Sequence, residues 1–356
     1  MTLPQTIDEN KLHEFLGKVV TDVGAAMSAA LVVIGDELGL WRALASAPSP
    51  LTAVDLARHT ETSERYVREW LDAMASGGYV VYDATAETYR LEPEQAVALA
   101  DADSPAFVPG LFQVTAAMWA SRAKIGANFR TGAGLEWGHQ HPCLFEGTER
   151  FFRSGYLGNL IQSWLPALDG VVEKLERGAR VADVGCGVGA STIIMAKAYP
   201  RSRFIGFDSH AASIELARQR ARQAGVADRV TFEVASATDF PGDGYDLIAH
   251  FDCFHDLEDP SGAARHAHAA IAPDGTWLLV EPFANDRREE NHNPVGRVFY
   301  SASTMLCVPH SLSRGGPALG AQAGELRLRE QVVSGGWRTL RRATQTPFNL
   351  VLEARP

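Results

Sequence analysis

The run VADVGCGVGAS, residues 181–191, constrains the fold of this chain more than any other feature. Apolar residues typical of a buried strand lead into Gly185, Gly187 and Gly189, and a helix-forming stretch follows. Glycine is needed where the backbone adopts unusual dihedral angles and where a ligand approaches it closely. The run therefore predicts a strand, a glycine turn and a helix that together bind a ligand. A tight turn without a ligand is the alternative.

Strand-like and helix-like segments alternate from residue 178 onward. Short apolar runs such as RFIGFDSH and YDLIAHF are interspersed with helical stretches such as ASIELARQRARQAG. This alternation predicts a parallel sheet with helices on both faces. Two last runs, TLRRATQ and FNLVLEARP, predict a terminal hairpin. The second half of the chain is thus predicted to be a doubly wound α/β domain.

Two aspartates indicate the kind of ligand. Asp208 closes the second strand, where a carboxylate accepts both ribose hydroxyls of an adenosine ligand. Asp183 directly precedes the glycines, where it would attract an ammonium group and repel a diphosphate. A dinucleotide is the rival, because Gly185, Gly187 and Ala190 also fit the GxGxxG/A fingerprint. Asp183 favours an adenosine ligand that carries an amino group.

On these motifs, residues 178–356 resemble a class I S-adenosylmethionine-dependent methyltransferase, and the terminal hairpin fits the reversed last strand of that fold. The whole chain resembles actinobacterial-type methyltransferases with an N-terminal winged helix, which are similar in layout to plant small-molecule O-methyltransferases. The resemblance implies a Rossmann-like domain, S-adenosyl-L-methionine as cofactor, S-adenosyl-L-homocysteine as product, and a small, aromatic-containing acceptor methylated on oxygen rather than nitrogen or carbon.

The resemblance also implies which residues bind the cofactor. Asp183 and the glycine loop would hold the methionine end, and Asp208 the ribose. Adenine would lie after the third strand, where Ser236 replaces the acid of many relatives, so that Asp239 and nearby backbone would share its binding. The predicted cofactor residues are Asp183, Gly185, Cys186, Gly187, Gly189, Asp208, Ser236, Ala237, Thr238 and Phe251.

The segment FDCFHDLEDP follows the fourth strand, at the sheet edge that faces the ligand crevice. It resembles the H-D/N-W-x-D segment of plant O-methyltransferases, which implies His255 as general base beside Asp256. Glu281, at the end of the fifth strand, would then orient His255. A positioned base contributes roughly 10²–10⁴ in rate. Alternatively, the segment only caps the helix that Asp259-Pro260 begins, since methyl transfer often needs only proximity and alignment.

Residues 1–100 follow the order helix, helix, helix, hairpin, which predicts a winged helix. Apolar residues recur at helical spacing over residues 31–44. Thr52 and Ser63 are candidate caps of the next two helices, and Gly77-Gly78 ends the second of them. In the resembling methyltransferases this module forms a dimer interface, which implies a homodimer.

Charge argues against a nucleic-acid partner. The chain has 33 basic and 43 acidic residues, a net charge of −10, and phosphates are bound by basic surfaces. The predicted recognition helix carries three acids and two bases. Those residues are Glu64, Arg65, Arg68, Glu69 and Asp72. The alternative function is a winged-helix transcription regulator that senses S-adenosylmethionine without transferring its methyl group.

The four cysteines are far apart and form no CxxC pair, which indicates reduced thiols. The N-terminus is polar and lacks the apolar core of a signal peptide. No apolar run is expected to reach the length of a membrane span. We therefore expect a soluble cytoplasmic protein with no membrane partner.

Residues 101–177 are predicted to be a helical linker and substrate cap between the winged helix (1–100) and the methyltransferase domain (178–356). His139, His141 and Cys143 are candidate metal ligands, but no second ligand pair accompanies them, and no metal is expected. Aromatic and Met side chains of the cap and of the segment after the fifth strand are candidates for the acceptor pocket, although core packing would also explain them. These six are Trp137, Phe145, Tyr156, Phe299, Tyr300 and Met305, and His310 of the latter segment is a further candidate.

Overall fold

The structure, a computed structural model, describes residues 7–356. The start of the predicted winged-helix domain and of the polar N-terminus, residues 1–6, lies outside the described residues. The chain divides into two compact units. The N-terminal unit comprises Met1–Ala116 and Glu146–Phe151, and the C-terminal unit comprises Ala117–Phe145 and Phe152–Pro356. The predicted linker and cap, 101–177, is thus shared between the two units.

The N-terminal unit contains the predicted series of helices followed by a two-stranded antiparallel hairpin. Its own core includes three fully buried side chains, Trp41, Leu71 and Met74. The Thr52 hydroxyl accepts the amide of Asp55 at 3.1 Å, which confirms that cap. The elements are α1 (Glu9–Glu37), α2 (Leu40–Ser46), α3 (Ala53–His59), α4 (Glu64–Ser76), β1 (Val81–Asp83), β2 (Thr88–Arg90) and α5 (Pro93–Leu99).

The helical pattern over residues 31–44 belongs to two helices. Gly39, with φ of +73°, separates α1 from α2. A left-handed φ is the conformation that glycine adopts without steric cost. Trp41 is buried, whereas Ile34 and Leu38 are 41% and 50% exposed. The regular spacing therefore predicted helix correctly but did not predict which side chains enter the core.

Helix α1 corrects the expectation that no apolar run reaches the length of a membrane span. Among the described helices, it alone is long and apolar enough to cross a membrane. Length and composition are weak indicators, because core helices and signal sequences have the same properties. Most of its side chains are exposed within this chain.

Seven strands form one sheet in the C-terminal unit, in the order β5-β4-β3-β6-β7-β9-β8. Strand β9 runs antiparallel to both neighbours, whereas the five strands before the hairpin are parallel. The doubly wound sheet with a reversed last strand is therefore confirmed. The strands are β3 (Arg180–Val184), β4 (Arg203–Asp208), β5 (Val230–Val234), β6 (Tyr245–Phe251), β7 (Ile271–Pro282), β8 (Thr339–Gln345) and β9 (Asn349–Arg355).

Each face of the sheet packs against its own hydrophobic core. Val181 lies in one core, and its neighbours Ala182 and Val184 lie in the other, because successive side chains of a strand point to opposite faces. The remaining helices are α6 (Pro109–Thr131), α7 (Cys143–Asn159), α8 (Val171–Arg177), α9 (Ala190–Ala198), α10 (Ala211–Gln223), α11 (Pro260–Ala270), α12 (Pro294–Ala302), α13 (Val308–Ser313) and α14 (Gly324–Ser334).

Candidate active site

The glycine turn connects β3 to α9 at the carboxyl edge of the sheet. Gly185, Gly187 and Gly189 have φ values of +77°, +53° and +81°. The amides of Gly185 and Cys186 both donate to the carbonyl of Phe207, at 2.8 and 3.0 Å, which ties the turn to β4. A Cβ on Gly189 would lie 2.6 Å from the Phe232 ring, whereas one on Gly187 would meet nothing within 4 Å. Packing thus excludes a side chain at Gly189, and Gly187 borders open space.

Asp183 is buried with one of its two oxygens unsatisfied. The hydroxyls of Ser191 and Thr192 both donate to Oδ2 at 2.6 Å. Oδ1 is buried and has no hydrogen-bond partner among residues 7–356. Burial raises the pKa of Asp183 to about 6, against the opposing effect of the two hydroxyls. Because buried polar atoms normally have partners, this oxygen fits the ammonium group of an amino-acid ligand.

Asp208 is fixed in orientation by two backbone amides. Gly187 donates to Oδ2 at 2.9 Å, and His210 donates to Oδ1 at 2.8 Å. Burial raises the pKa of the carboxyl, and the two amides oppose the shift. Each oxygen keeps a further lone pair, so Asp208 can accept the two hydroxyls of a ribose. The His210 ring stacks on Phe145 with centroids 4.8 Å apart.

The predicted adenine segment forms a closed polar turn. The amide and hydroxyl of Ser236 donate to Asp239 Oδ1 at 3.1 and 2.7 Å, and the hydroxyls of Ser236 and Thr238 are 2.9 Å apart. Ala237 is partly buried against the core. The Phe251 ring is buried and packs against Tyr156, with centroids 5.3 Å apart.

His255 lies in a 3₁₀ turn, Phe254–Asp256, directly after β6. Both His255 and Glu281 are buried, and Nδ1 of His255 is 2.6 Å from Glu281 Oε2. The amide of Phe254 donates to Glu281 Oε1 at 2.9 Å, which fixes the carboxylate. The helix cap is Asp259, whose side chain accepts the amide of Gly262 at 2.8 Å. Capping therefore explains Asp259 but not the buried His–Glu pair.

The second ring nitrogen of His255 contacts a residue that the sequence analysis missed. Nε2 lies 3.3 Å from Cys307 Sγ. Burial lowers the pKa of His255, but Glu281 and Cys307 outweigh it and hold the pKa well above its usual value. No local signal marks Cys307, because it lies 52 positions after His255, beyond a strand and two helices.

Asp256 lies beside this pair, and burial raises the pKa of its carboxyl. Donor atoms of His255, Asp256 and Cys307 lie within 4.8 Å of one another. In the described part of the chain, this is the group of side chains whose chemistry and spacing could hold a metal ion. The candidates from the sequence lie elsewhere. His141 Nδ1 accepts the amide of Cys143 at 3.3 Å, which is a local turn contact.

Residues 134–145 of the C-terminal unit pack on the segment that contains α12 and α13. The amide of Trp137 donates to His310 Nδ1 at 3.1 Å, and the Gln140 side chain donates to the carbonyl of Met305 at 3.3 Å. The Trp137 ring meets Phe145 edge-on. Gln140 was not predicted as a site residue, because its role depends on this long-range packing, whereas His310 was among the candidates for the acceptor pocket.

The six candidates for the acceptor pocket divide into two groups. Trp137 and Phe145 are half-buried and contact His310 and His210, and Tyr300 and Met305 are also half-buried. Tyr156 and Phe299 are buried, so core packing accounts for both. The Tyr156 ring packs edge-on against Trp164, and the Phe299 ring edge-on against Phe348.

Fold and site together define a class I methyltransferase domain. Residues 175–312 match the family model described as a methyltransferase domain, and residues 26–101 match that of an Rv2258c-like winged HTH domain. The chain therefore carries an S-adenosylmethionine-dependent methyltransferase domain behind a winged-helix domain, as the sequence predicted. The unsatisfied oxygen of Asp183 and the fixed carboxylate of Asp208 fit this cofactor.

Known proteins resemble the chain in sequence and in fold. It is 33% identical over 145 residues to the 27-O-demethylrifamycin SV methyltransferase of Amycolatopsis mediterranei, a match that covers 40% of this chain and 48% of that protein. In general the chain spans about half, or less, of the length of the curated relatives that it matches.

Two solved structures match the fold over nearly the whole chain. A putative O-methyltransferase from Nostoc punctiforme has a TM-score of 0.70 at 20% identity, covering 95% of this chain and 98% of its own. Human N-acetylserotonin methyltransferase, solved in complex with S-adenosylmethionine, has a TM-score of 0.69 at 17% identity and covers 100% and 99%.

Proposed function

We propose that this protein transfers the methyl group of S-adenosylmethionine to an oxygen of a small, aromatic-containing molecule, with His255 as the general base. The observation that carries the proposal is the buried Glu281–His255 pair, which lies at the carboxyl ends of β6 and β7. The cofactor residues Asp183 and Asp208 lie at the carboxyl ends of β3 and β4, and the carboxyl ends of parallel strands meet at one edge of a sheet.

The cofactor supplies an electrophilic methyl group on a sulfonium. Nδ1 of His255 is hydrogen-bonded to Glu281, so Nε2 is the nitrogen that takes the proton of the methyl acceptor. The carboxylate of Glu281 then stabilises the imidazolium that forms. A fixed base is useful because a phenol, with a pKa of about 10, is mostly neutral at pH 7.

The half-buried cap residues favour an aromatic acceptor. Trp137 and Phe145 provide apolar walls, and the polar groups near them are few and fixed, among them His310. Small-molecule pockets have this composition, apolar walls with a few oriented polar groups. Nitrogen and carbon acceptors are the other outcomes of the experiment below.

The test follows labelled methyl from S-adenosylmethionine into the small-molecule fraction of a cell extract, and the labelled acceptor then serves as substrate. We expect His255→Asn to lower kcat by roughly 10²–10⁴ because the proton acceptor is lost, while the Kd for S-adenosylhomocysteine is unchanged. His141→Asn, which alters an exposed histidine, is the matched control. An unchanged kcat in His255→Asn would contradict the role of His255 as general base. Absence of label from every small-molecule fraction would contradict methyl transfer.

The charges of the winged helix do not favour the regulator alternative. On α4, Arg65 pairs with Glu69 at 2.6 Å, and Arg68 pairs with Glu64. These exposed arginines are accompanied by acids, whereas phosphate binding needs a net basic surface. We therefore propose no nucleic-acid partner.

We propose a homodimer that forms through the N-terminal domain. Its support is an apolar surface on α1, where Val20 and Met27 are 72% and 73% exposed and Phe15 is 62% exposed. Contiguous exposed apolar residues mark interaction sites. We also propose a cytoplasmic location, which the free thiols of all four cysteines support.

Sedimentation equilibrium of the full chain tests the dimer. We expect a dimer mass, and a monomer mass for Val20→Asp, because a carboxylate at the centre of an apolar interface lacks a partner. Lys18→Asp, a change in charge on the same helix, is the control. A monomeric wild type, or flotation of the protein with neutral lipid vesicles, would contradict the proposal.

A further inference from the structure

Cys307 occupies an unusual backbone position. It is the last residue of a π-helical turn, Ser303–Cys307, between α12 and α13. Such turns are rare and occur frequently at functional sites. The turn is held in place by the Ser303 hydroxyl, which accepts the amide of Ala321 at 3.0 Å. The backbone therefore fixes where the thiol lies.

The thiol ends a chain of three side chains. Glu281 lies 2.6 Å from Nδ1 of His255, and Cys307 Sγ lies 3.3 Å from Nε2. A nucleophile within hydrogen-bond reach of a histidine, which a third group orients in turn, is the arrangement that activates nucleophilic side chains.

The thiols of Cys186 and Cys253 contact backbone carbonyls, those of Gly187 and Val184, rather than a histidine ring of the described residues. Burial raises the pKa of Cys186 and of Cys253 well above the usual value, and nearby acids add to the shift. Both are therefore expected to be inert. Cys307 and Cys143 are both half-buried, and within residues 7–356 the contact between a cysteine sulfur and a histidine ring is that of Cys307 with His255.

We propose that Cys307 is a modification site, a nucleophilic thiol that His255 and Glu281 activate and that hydrogen peroxide oxidises to a sulfenic acid. The thiol proton passes to Nε2 of His255 as the sulfur attacks one peroxide oxygen, an S–O bond forms and the O–O bond breaks. The sulfur loses two electrons, and the departing hydroxide takes the proton from Nε2 of His255 to become water. The products are a sulfenic acid, a neutral imidazole and one water molecule, so atoms and charge balance.

Oxidation at this position also affects methyl transfer, a consequence that rests on the proposed function. Nε2 is the nitrogen proposed to take the acceptor proton, and Cys307 Sγ lies next to it. A sulfenic acid adds an oxygen at this point, which hydrogen-bonds Nε2 and blocks the acceptor. The activity of the enzyme would then fall with peroxide and return with a thiol reductant.

The test measures the thiol directly, without reference to methyl transfer. Full-length protein, treated with a chelator to remove metal ions, reacts with iodoacetamide at pH 7, and peptide mass spectrometry gives the alkylation rate of each cysteine. We expect Cys307 to react at least tenfold faster than Cys143. His255→Asn slows Cys307 at least tenfold and leaves Cys143 unchanged, and Glu281→Gln has a smaller effect of the same sign.

Peroxide treatment in the presence of dimedone provides the second readout. The sulfenic-acid adduct is expected on Cys307 of the wild type and of Cys143→Ser, and on no cysteine of Cys307→Ser. Equal alkylation rates for Cys307 and Cys143, or a dimedone adduct confined to Cys143, would overturn the proposal. Circular dichroism of each variant verifies the fold. Reactive Cys307 without any methyl transfer would contradict the proposed function alone.

Discussion

The environment of the Asp183 side chain indicates the charge of the ligand group that it binds. Two hydroxyls satisfy Oδ2, and Oδ1 is left buried without a partner among the described residues. Burial raises the pKa of the carboxyl to about 6. A cationic amino group would both satisfy the free oxygen and favour the ionised form.

The affinity for cofactor should therefore depend on pH near 6. In the unfolded chain an aspartate has a pKa of about 3.9, so without ligand Asp183 contributes stability at low pH that is lost as pH rises through 6. The cofactor prefers the carboxylate, so its binding should strengthen over the same range. We expect the Kd of S-adenosylhomocysteine to fall about tenfold from pH 5 to pH 7.5, measured by isothermal titration calorimetry. The same slope in Asp183→Asn would contradict this assignment.

Asp208 should contribute to cofactor affinity through its charge. Charge-assisted hydrogen bonds contribute about 1.5–3 kcal/mol each, so Asp208→Ala is expected to weaken S-adenosylhomocysteine binding tenfold or more. Asp228→Ala, at an exposed aspartate that pairs with Arg229, is the matched control. Equal Kd values for both variants would contradict a ribose contact at Asp208.

At the scale of elements, the two glycines between β3 and α9 contribute differently to folding and to ligand binding. Both Gly187 and Gly189 have positive φ, but only Gly189 is packed against a side chain, that of Phe232. A left-handed φ costs an alanine about 1–2 kcal/mol. An alanine would therefore meet backbone strain of this kind at both positions, and the two positions differ in what surrounds them.

This difference predicts that two similar substitutions affect stability and binding to different extents. Gly187→Ala should lower the free energy of unfolding by only about 1–2 kcal/mol but weaken S-adenosylhomocysteine binding, because its Cβ projects into the open space at the loop. Gly189→Ala should destabilise the domain further, because its Cβ would lie 2.6 Å from Phe232. Urea unfolding and calorimetry measure the two quantities. Greater destabilisation by Gly187→Ala would refute the distinction.

At the scale of the whole molecule, each compact unit has its own hydrophobic core. The cofactor residues Asp183 and Asp208 both belong to the C-terminal unit. A ligand that binds only the folded state stabilises it by about 2.7 kcal/mol at a hundred times its Kd. Cofactor binding should therefore be visible as increased stability of the C-terminal unit.

Hydrogen exchange can locate this stabilisation along the chain. We expect S-adenosylhomocysteine at a hundred times its Kd to slow exchange in peptides of β3, β4 and β6 by up to about a hundredfold. The same addition to Asp208→Ala, at the same concentration, should give a clearly smaller effect. Protection limited to peptides of α2–α4 would show that the ligand binds elsewhere.

The sequence by itself determined the elements and the kind of cofactor. The strand, glycine turn and helix of residues 181–191 are contiguous, and Asp208 lies at the end of the next strand, so local pattern was sufficient for both. The winged-helix order also followed from the order of short segments, whereas the reversal of β9 was implied by the resemblance to class I methyltransferases. The apolar spacing over residues 31–44 did not reveal the break at Gly39, because spacing alone does not indicate a left-handed φ.

Only the tertiary structure decided how the catalytic candidates meet. Resemblance suggested Glu281 and His255, but their contact across 26 residues depends on the register of β6 and β7. Cys307 reaches the same histidine across 52 residues through a π-helical turn that no sequence pattern marks. The physical reason is that local propensity acts over a few residues, whereas the environment of a buried side chain is set by elements distant in sequence.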